Sequence, residues 1–221
     1  MGVRGAPQYA VNLYLEGQPC VVIGAGPVAA GKIENLLACG ARVTVVAPTA
    51  CGAVEGWATG GQVTWKRRRY EAADLDGAFL VITATADPAV NHQVYLDAEA
   101  RRVLCNSADD PANCRFTLPS IVRRGDLTIA VSTRGRSPAL AAHMRRHLST
   151  VVGPEYETVL ELLATVRDEL RQKGIPTEPL SRTWAALLDD GPVLDLVRAG
   201  KIQEARGLLL ESLRLANSNH P

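Results

Sequence analysis

The sequence predicts an α/β fold: a parallel sheet wound by helices on both faces, then a small α+β region, then an all-helical end. Three observations predict it. Short apolar runs alternate with helix-periodic stretches as far as Asn106, the pattern of parallel strands joined by crossover helices. The first of these runs, Cys20 to Ile23, meets two closely spaced glycines and then a helix-like stretch, the order expected of a phosphate-binding turn. From Val152 onward the apolar spacing is helical throughout.

The glycine turn is the centre of the first half. Gly24 permits a tight turn out of the strand, and Gly26 has no Cβ to hold a pyrophosphate away from the backbone. A bound anion would rest on unpaired N–H groups at the start of the next helix, and Ala25, Pro27 and Val28 are expected beside the cofactor. The third position of the fingerprint is Ala29, a substitution that the motif allows. Ala29, Ile33, Leu36, Leu37 and Gly40 mark one face of the helix, and Gly40 is placed to cap it. Arg42 to Ala47 is the second strand, which completes a Rossmann-type strand–turn–helix–strand unit.

Upstream, residues 9–18 form a short segment of alternating apolar positions that turns at Gly17 into the first strand. Downstream, Ala47, Pro48 and Thr49 close the crevice in which an adenine ribose would lie. An acidic residue usually holds the ribose 2′-OH here, and an arginine accommodates a 2′-phosphate. This stretch has neither, so residue type leaves NAD and NADP open. Residues 62–66 are a third strand, and Arg67-Arg68-Arg69 after it reads as a solvated loop. Ala78 to Ala84 is an apolar run suited to a strand buried on both faces. Thr85 and Ala86 follow at its carboxyl end, then a helix to Arg101, then a strand from Val103 to Asn106. Ligands of such sheets bind at the carboxyl ends of the strands, here Gly24, Ala47, Thr85 and Asn106.

The pattern changes after Pro111. Arg115–Pro119 and Leu127–Thr133 read as two antiparallel strands around an Arg124-Gly-Asp126 turn, and Ser137-Pro138 opens a helix as N-cap and first helical residue. So small an element buries too little apolar surface alone, and a homodimer interface is expected there. Helices follow from Pro154 to Lys173 and around 184–188, 193–199 and 202–215. The expected domains are 1–112, a nucleotide-binding unit; 113–150, a dimerisation region; and 151–221, a helical domain.

Composition narrows the function. The chain of 221 residues carries a formal charge of +1, which argues against a general nucleic-acid binder. Residues 111–150 nevertheless hold seven arginines against Asp126 alone, a local balance of +6. An arginine field suits a ligand bearing several carboxylates or phosphates. No apolar run approaches signal-peptide or membrane-span length, so a cytoplasmic enzyme is expected, with no membrane partner. Five scattered cysteines include no Cys-x-x-Cys pair. His143 and His147 stand one helical turn apart, but no third ligand nearby suggests a resident metal. Asp109 and Asp110 follow the last parallel strand beside the expected nicotinamide position. A base there could accept a proton as hydride leaves; one of the two is expected to cap the turn before Pro111.

Four pieces of the chain carry a family resemblance: Val22-Ile-Gly-Ala-Gly-Pro-Val-Ala-Ala-Gly-Lys32, Gly40 through Pro48, Cys105-Asn-Ser-Ala-Asp-Asp-Pro111, and Phe116 through Leu140. Together they resemble the precorrin-2 dehydrogenase family, the dehydrogenase/ferrochelatase part of sirohaem synthesis. The resemblance implies NAD-dependent oxidation of precorrin-2 to sirohydrochlorin by an intertwined homodimer. In some members it implies insertion of Fe2+ as well, with Co2+ a further possible metal substrate. It identifies Asp109 with the family's essential aspartate and Thr133 with a position near the tetrapyrrole. Arg115, Thr133, Arg134, Arg136, Ser137 and His143 are then the expected substrate-facing residues. Ala25 and Gly31 depart from a common Gly and Arg, and His143 from a common Lys or Arg. The reading from another class is an NAD-sensing dimer without chemistry, which would need neither Asp109 nor the arginines.

Overall fold

Alternate side chains of the first strand are buried on opposite faces, so the strand must lie inside a sheet covered on both sides. This is strand β1, Pro19–Ile23. Cys20 and Val22 join one apolar cluster, and Val21 and Ile23 join another. The computed structural model describes residues 7–108, 110–175, 180–189 and 191–218. Two compact units divide the chain, Met1–Leu118 and Pro119–Pro221.

In the first unit β1 is joined by β2 (Arg42–Val46), β3 (Val63–Lys66), β4 (Leu80–Thr83) and β5 (Leu104–Ser107). All pairings are parallel, in the order β3-β2-β1-β4-β5. The order reverses direction at β1, and the crevice at such a switch point is where ligands of open α/β sheets bind. Helix α1 (Pro27–Ala38) lays Ala29, Ile33 and Leu36 on the cluster of Val22, Val45 and Ile82. On the opposite face α3 (Pro88–Arg101) buries Val94 and Ala98 against Val21 and Val81. The expected Rossmann-type parallel sheet is therefore present.

One helix lies where no periodic signal marks the chain. Helix α2 (Gly52–Thr59) follows β2 and buries only Val54 fully. Two of its eight residues are glycines, poor helix formers, and a single buried side chain leaves no stripe to read.

In the second unit, β6 (Ser120–Arg124) and β7 (Leu127–Val131) form an antiparallel hairpin turned at Gly125. The sequence reading placed the first of these strands at Arg115–Pro119, five residues early. Arg124 pairs with Leu127 across the turn, so the turn itself fixes the register. Residues 115 and 116 instead continue past β5: the Arg115 N–H donates to the Cys105 carbonyl at 2.7 Å, and Asn106 Nδ2 to the Phe116 carbonyl at 2.9 Å. Helix α4 (Pro138–Val151) begins at Ser137, whose Oγ accepts the Leu140 N–H, with Pro138 at the first helical position as expected.

The end of the chain is helical as read: α5 (Glu155–Gln172), α6 (Leu180–Asp189), α7 (Pro192–Arg198) and α8 (Ile202–Ser218). Val159, Leu162, Val166 and Leu170 of α5 pack with Val193, Val197, Ala205 and Leu209. Among the described residues no helix is long and apolar enough to cross a membrane.

Candidate active site

The carboxyl ends of β1, β2 and β4 open onto a pocket of about 920 Å3. Gly24 follows β1 at φ +105°, donates its N–H to the Val46 carbonyl at 3.0 Å, and runs so close to β4 that a Cβ would stand 2.4 Å from the Ala84 oxygen. Only glycine fits there. Gly26 is the opposite case. A Cβ on it would meet nothing within 4 Å, and the residue lies on the pocket wall. Gly26 is also the N-cap of α1 and has no side chain to satisfy the first helical N–H groups, which leaves them to a ligand anion. These features fit the pyrophosphate of a dinucleotide.

Ten of the residues expected around the cofactor line this one pocket: Gly24 through Val28, Ala47 to Thr49, and Thr85 with Ala86. Asn106 does not line it. It is buried at the end of β5, with its amide donated to Phe116 and directed at Cys114. Its visible work is to hold the chain after β5 in place.

Two positioning groups were not read from the sequence. Asn91 of α3 is buried, donates to the Thr85 carbonyl at 3.1 Å and accepts from Thr85 Oγ1 at 2.8 Å. It fixes the turn that forms one wall of the pocket. The signal was a polar residue at a helix position that should face the sheet. Tyr70 forms part of the other wall, and its hydroxyl donates to Asp97 at 2.9 Å. Burial, reinforced by that hydrogen bond, raises the phenol well above its ordinary range, so it stays neutral.

The pair Asp109–Asp110 separates cleanly in one respect. Asp110 accepts the Ala112 N–H at 2.9 Å and the Asn113 amide at 3.0 Å, capping the short turn Pro111–Asn113. Asn113 Oδ1 also lies 3.2 Å from His92 Nδ1. Asp110 is thus the turn-capping member of the pair, and Asp109 lies outside the described residues.

The expected substrate-facing residues divide between the units. Arg115, in the first, is bound through its guanidinium to Glu99. In the second, Thr133 Oγ1 accepts the Ser137 N–H and donates to the Ser137 carbonyl, bracing the turn that contains Arg134 and Arg136. Arg134 adopts a positive φ of 57°. His143 is exposed on α4, as is His147. Arg124, another member of the basic stretch, donates to the Val152 and Ser149 carbonyls at the end of α4, so its charge closes a helix. Among the described residues no three His, Cys, Asp or Glu side chains are grouped to hold a metal. Burial pushes the Cys20 and Cys105 thiols up to about 11 and about 12, which makes them poor ligands and nucleophiles at neutral pH.

Two family models match the chain. One, described as NAD(P)-binding, covers residues 11–120, and the other, described as sirohaem biosynthesis protein central, covers residues 124–150. The siroheme synthase of Nitrosococcus oceani is 36% identical over 203 residues, and that of Methylococcus capsulatus 37% over 204. The chain belongs to the precorrin-2 dehydrogenase and sirohaem synthase family. It spans less than half the length of those two relatives, 43% and 42%, while 92% and 91% of it is covered. A solved family structure, "SirC, precorrin-2 dehydrogenase", is matched over its whole length and 92% of this chain, at 29% identity and a TM-score of 0.76. Membership agrees with the resemblance carried by the four motifs.

Proposed function

We propose that this chain oxidises precorrin-2 to sirohydrochlorin, with NAD+ as hydride acceptor. The observation that carries the reading is the match, over 92% of the chain, to a precorrin-2 dehydrogenase, in a chain whose phosphate-binding turn opens onto a dinucleotide-sized pocket. The nicotinamide supplies an electrophilic carbon that takes the hydride. The chain's own residues do the rest. Gly24 and Gly26 let the backbone approach the pyrophosphate, and the N–H groups of α1 hold it. The turn at Thr85, tied down by Asn91, flanks the nicotinamide end.

Asp109 is the proton acceptor in this reading, taking a proton from the reduced macrocycle as hydride leaves. Its neighbour Asp110 is spent on capping the turn Pro111–Asn113, and this supports the assignment. Arg134, Arg136, Thr133, Ser137 and His143 are proposed to receive the substrate's carboxylates, for which the guanidinium fork is suited. Arg115 would reach them only by exchanging Glu99. The working form is proposed to be a cytoplasmic homodimer, with residues 113–150 as its joining region between a nucleotide-binding unit (1–112) and a helical unit (151–221). Exposed Ile121, Leu140 and Met144 in that stretch support the joining role.

The test is anaerobic conversion of precorrin-2, followed by sirohydrochlorin absorbance, for the parent chain and for Asp109→Asn, with NAD+ affinity measured alongside. Turnover is expected to fall at least 100-fold while NAD+ binding stays within about twofold. Full turnover in the variant would remove Asp109 from the mechanism. Since the full-length relatives are named siroheme synthases, Fe2+ and Co2+ are added in a second stage. Metal insertion faster than without protein would establish chelation as a further activity.

A further inference from the structure

The three consecutive arginines after β3 are not equivalent, and only one faces the pocket. Arg67 lies over the Trp65 ring at 4.3 Å. Arg68 binds the buried Asp74 carboxylate at 2.6 and 2.8 Å. Arg69 lines the pocket, and among the described residues its side chain makes no hydrogen bond or ion pair. Its carbonyl accepts from Arg68 Nη1 at 3.0 Å, so the clamp on Arg68 also fixes the backbone from which Arg69 projects.

The place of Arg69 in the sheet gives it a specific counterpart. It follows β3, on the side of β1 occupied by β2 and β3, whereas β4, with Thr85 and Asp87 beyond it, lies on the other. In this topology the ribose of the adenosine half lies beyond the end of β2, where a carboxylate selects a free 2′-OH. Val46 to Thr49 offer no carboxylate there. Among the described residues, Arg69 and Asp87 are the only charged ones lining the pocket, and Asp87 is engaged by the Ala89 and Val90 N–H groups at the start of α3. The adenosine end therefore has a cation available and no anion to repel a phosphate.

We propose that Arg69 binds the 2′-phosphate of NADP+, so that the pocket accepts NADP+ as well as NAD+. The inference rests on the pocket being a nicotinamide-dinucleotide site and extends its range. An unpaired guanidinium held at a fixed origin meets a phosphate through two parallel N–H bonds.

The experiment is calorimetric titration of the purified chain with NAD+, NADP+ and adenosine 2′,5′-bisphosphate, repeated for Arg69→Ala, Arg69→Lys and Arg67→Ala. NADP+ is expected to bind within about tenfold of NAD+ or more tightly. Arg69→Ala should weaken NADP+ and the bisphosphate about tenfold or more and leave NAD+ within about twofold. Arg69→Lys should retain part of the affinity, and Arg67→Ala should match the parent. NADP+ binding more than about 100-fold weaker than NAD+ in the parent, or an equal loss for both nucleotides in Arg69→Ala, would overturn the role of Arg69 and leave the NAD+ reading standing. Binding of neither nucleotide would overturn the pocket assignment, and this inference with it.

Discussion

Asp74 sets the geometry of the pocket's arginine side from a position that touches no ligand. Its side chain is 1% exposed and takes Lys66, Arg68 and the Glu71 N–H together. Burial pushes its carboxyl up, but these hydrogen bonds outweigh burial and hold it at about 2, against an ordinary 3.8. Since the folded value is the lower one, the stabilisation is complete above about pH 4 and disappears as pH falls through about 2. It amounts to about 2 kcal/mol. Asp74→Asn should lower the urea midpoint at pH 7, and the gap to the parent should close between pH 4 and pH 2; a gap independent of pH would show that the charge contributes nothing. The two glycines of the turn predict opposite failures. Gly24→Ala sets a Cβ against the Ala84 carbonyl at a positive φ and should cost at least about 2 kcal/mol of stability. Gly26→Ala sets its Cβ in open space, so its melting temperature should stay near the parent's while nucleotide affinity falls about tenfold or more.

At the scale of elements, what could be read in advance was whatever left a periodic or positional trace. Strand β1 and helix α1 were legible because burial on both faces demands an apolar run and because α1 repeats Ala29, Ile33 and Leu36 on one side. Helix α2 left no trace, since it buries only one residue fully and begins on a glycine. The hairpin was legible as a pair of strands, but the apolar residues from Phe116 to Leu118 resembled the strand that follows them. Only the pairing of Arg124 with Leu127 separates the two. In the site, the glycines and the strand ends were readable because backbone geometry dictates them. Asn91 was not, since nothing in its neighbours announces that a helix side chain turns back to hold a strand-end loop. Removing that tie tests its importance: Asn91→Ala should weaken NAD+ about three- to tenfold through a looser turn at Thr85, with a stability loss of about 1–2 kcal/mol for the unpaired carbonyl. Unchanged affinity by titration would show that the turn holds itself.

At the scale of the whole molecule, the second unit leaves several large apolar side chains exposed. Its two-stranded sheet is below the size that is stable alone, and α4 packs on it. Yet Ile121 remains 41% exposed, Leu140 51% and Val151 53%. The joining surface between two copies proposed above would account for that exposure, because side chains of this kind lose it only against another apolar face. The nucleotide pocket, by contrast, is lined wholly by residues of the first unit. Dimerisation and nucleotide binding should therefore separate. Ile121→Lys combined with Leu140→Lys is expected to convert a dimer into a monomer by sedimentation, with NAD+ affinity within about twofold of the parent. Precorrin-2 turnover should fall at least tenfold, since the expected substrate residues from Thr133 to His143 belong to the same stretch of chain as the altered surface. A variant that remains dimeric would move the interface elsewhere. A monomer with full turnover would show that one copy suffices for the chemistry.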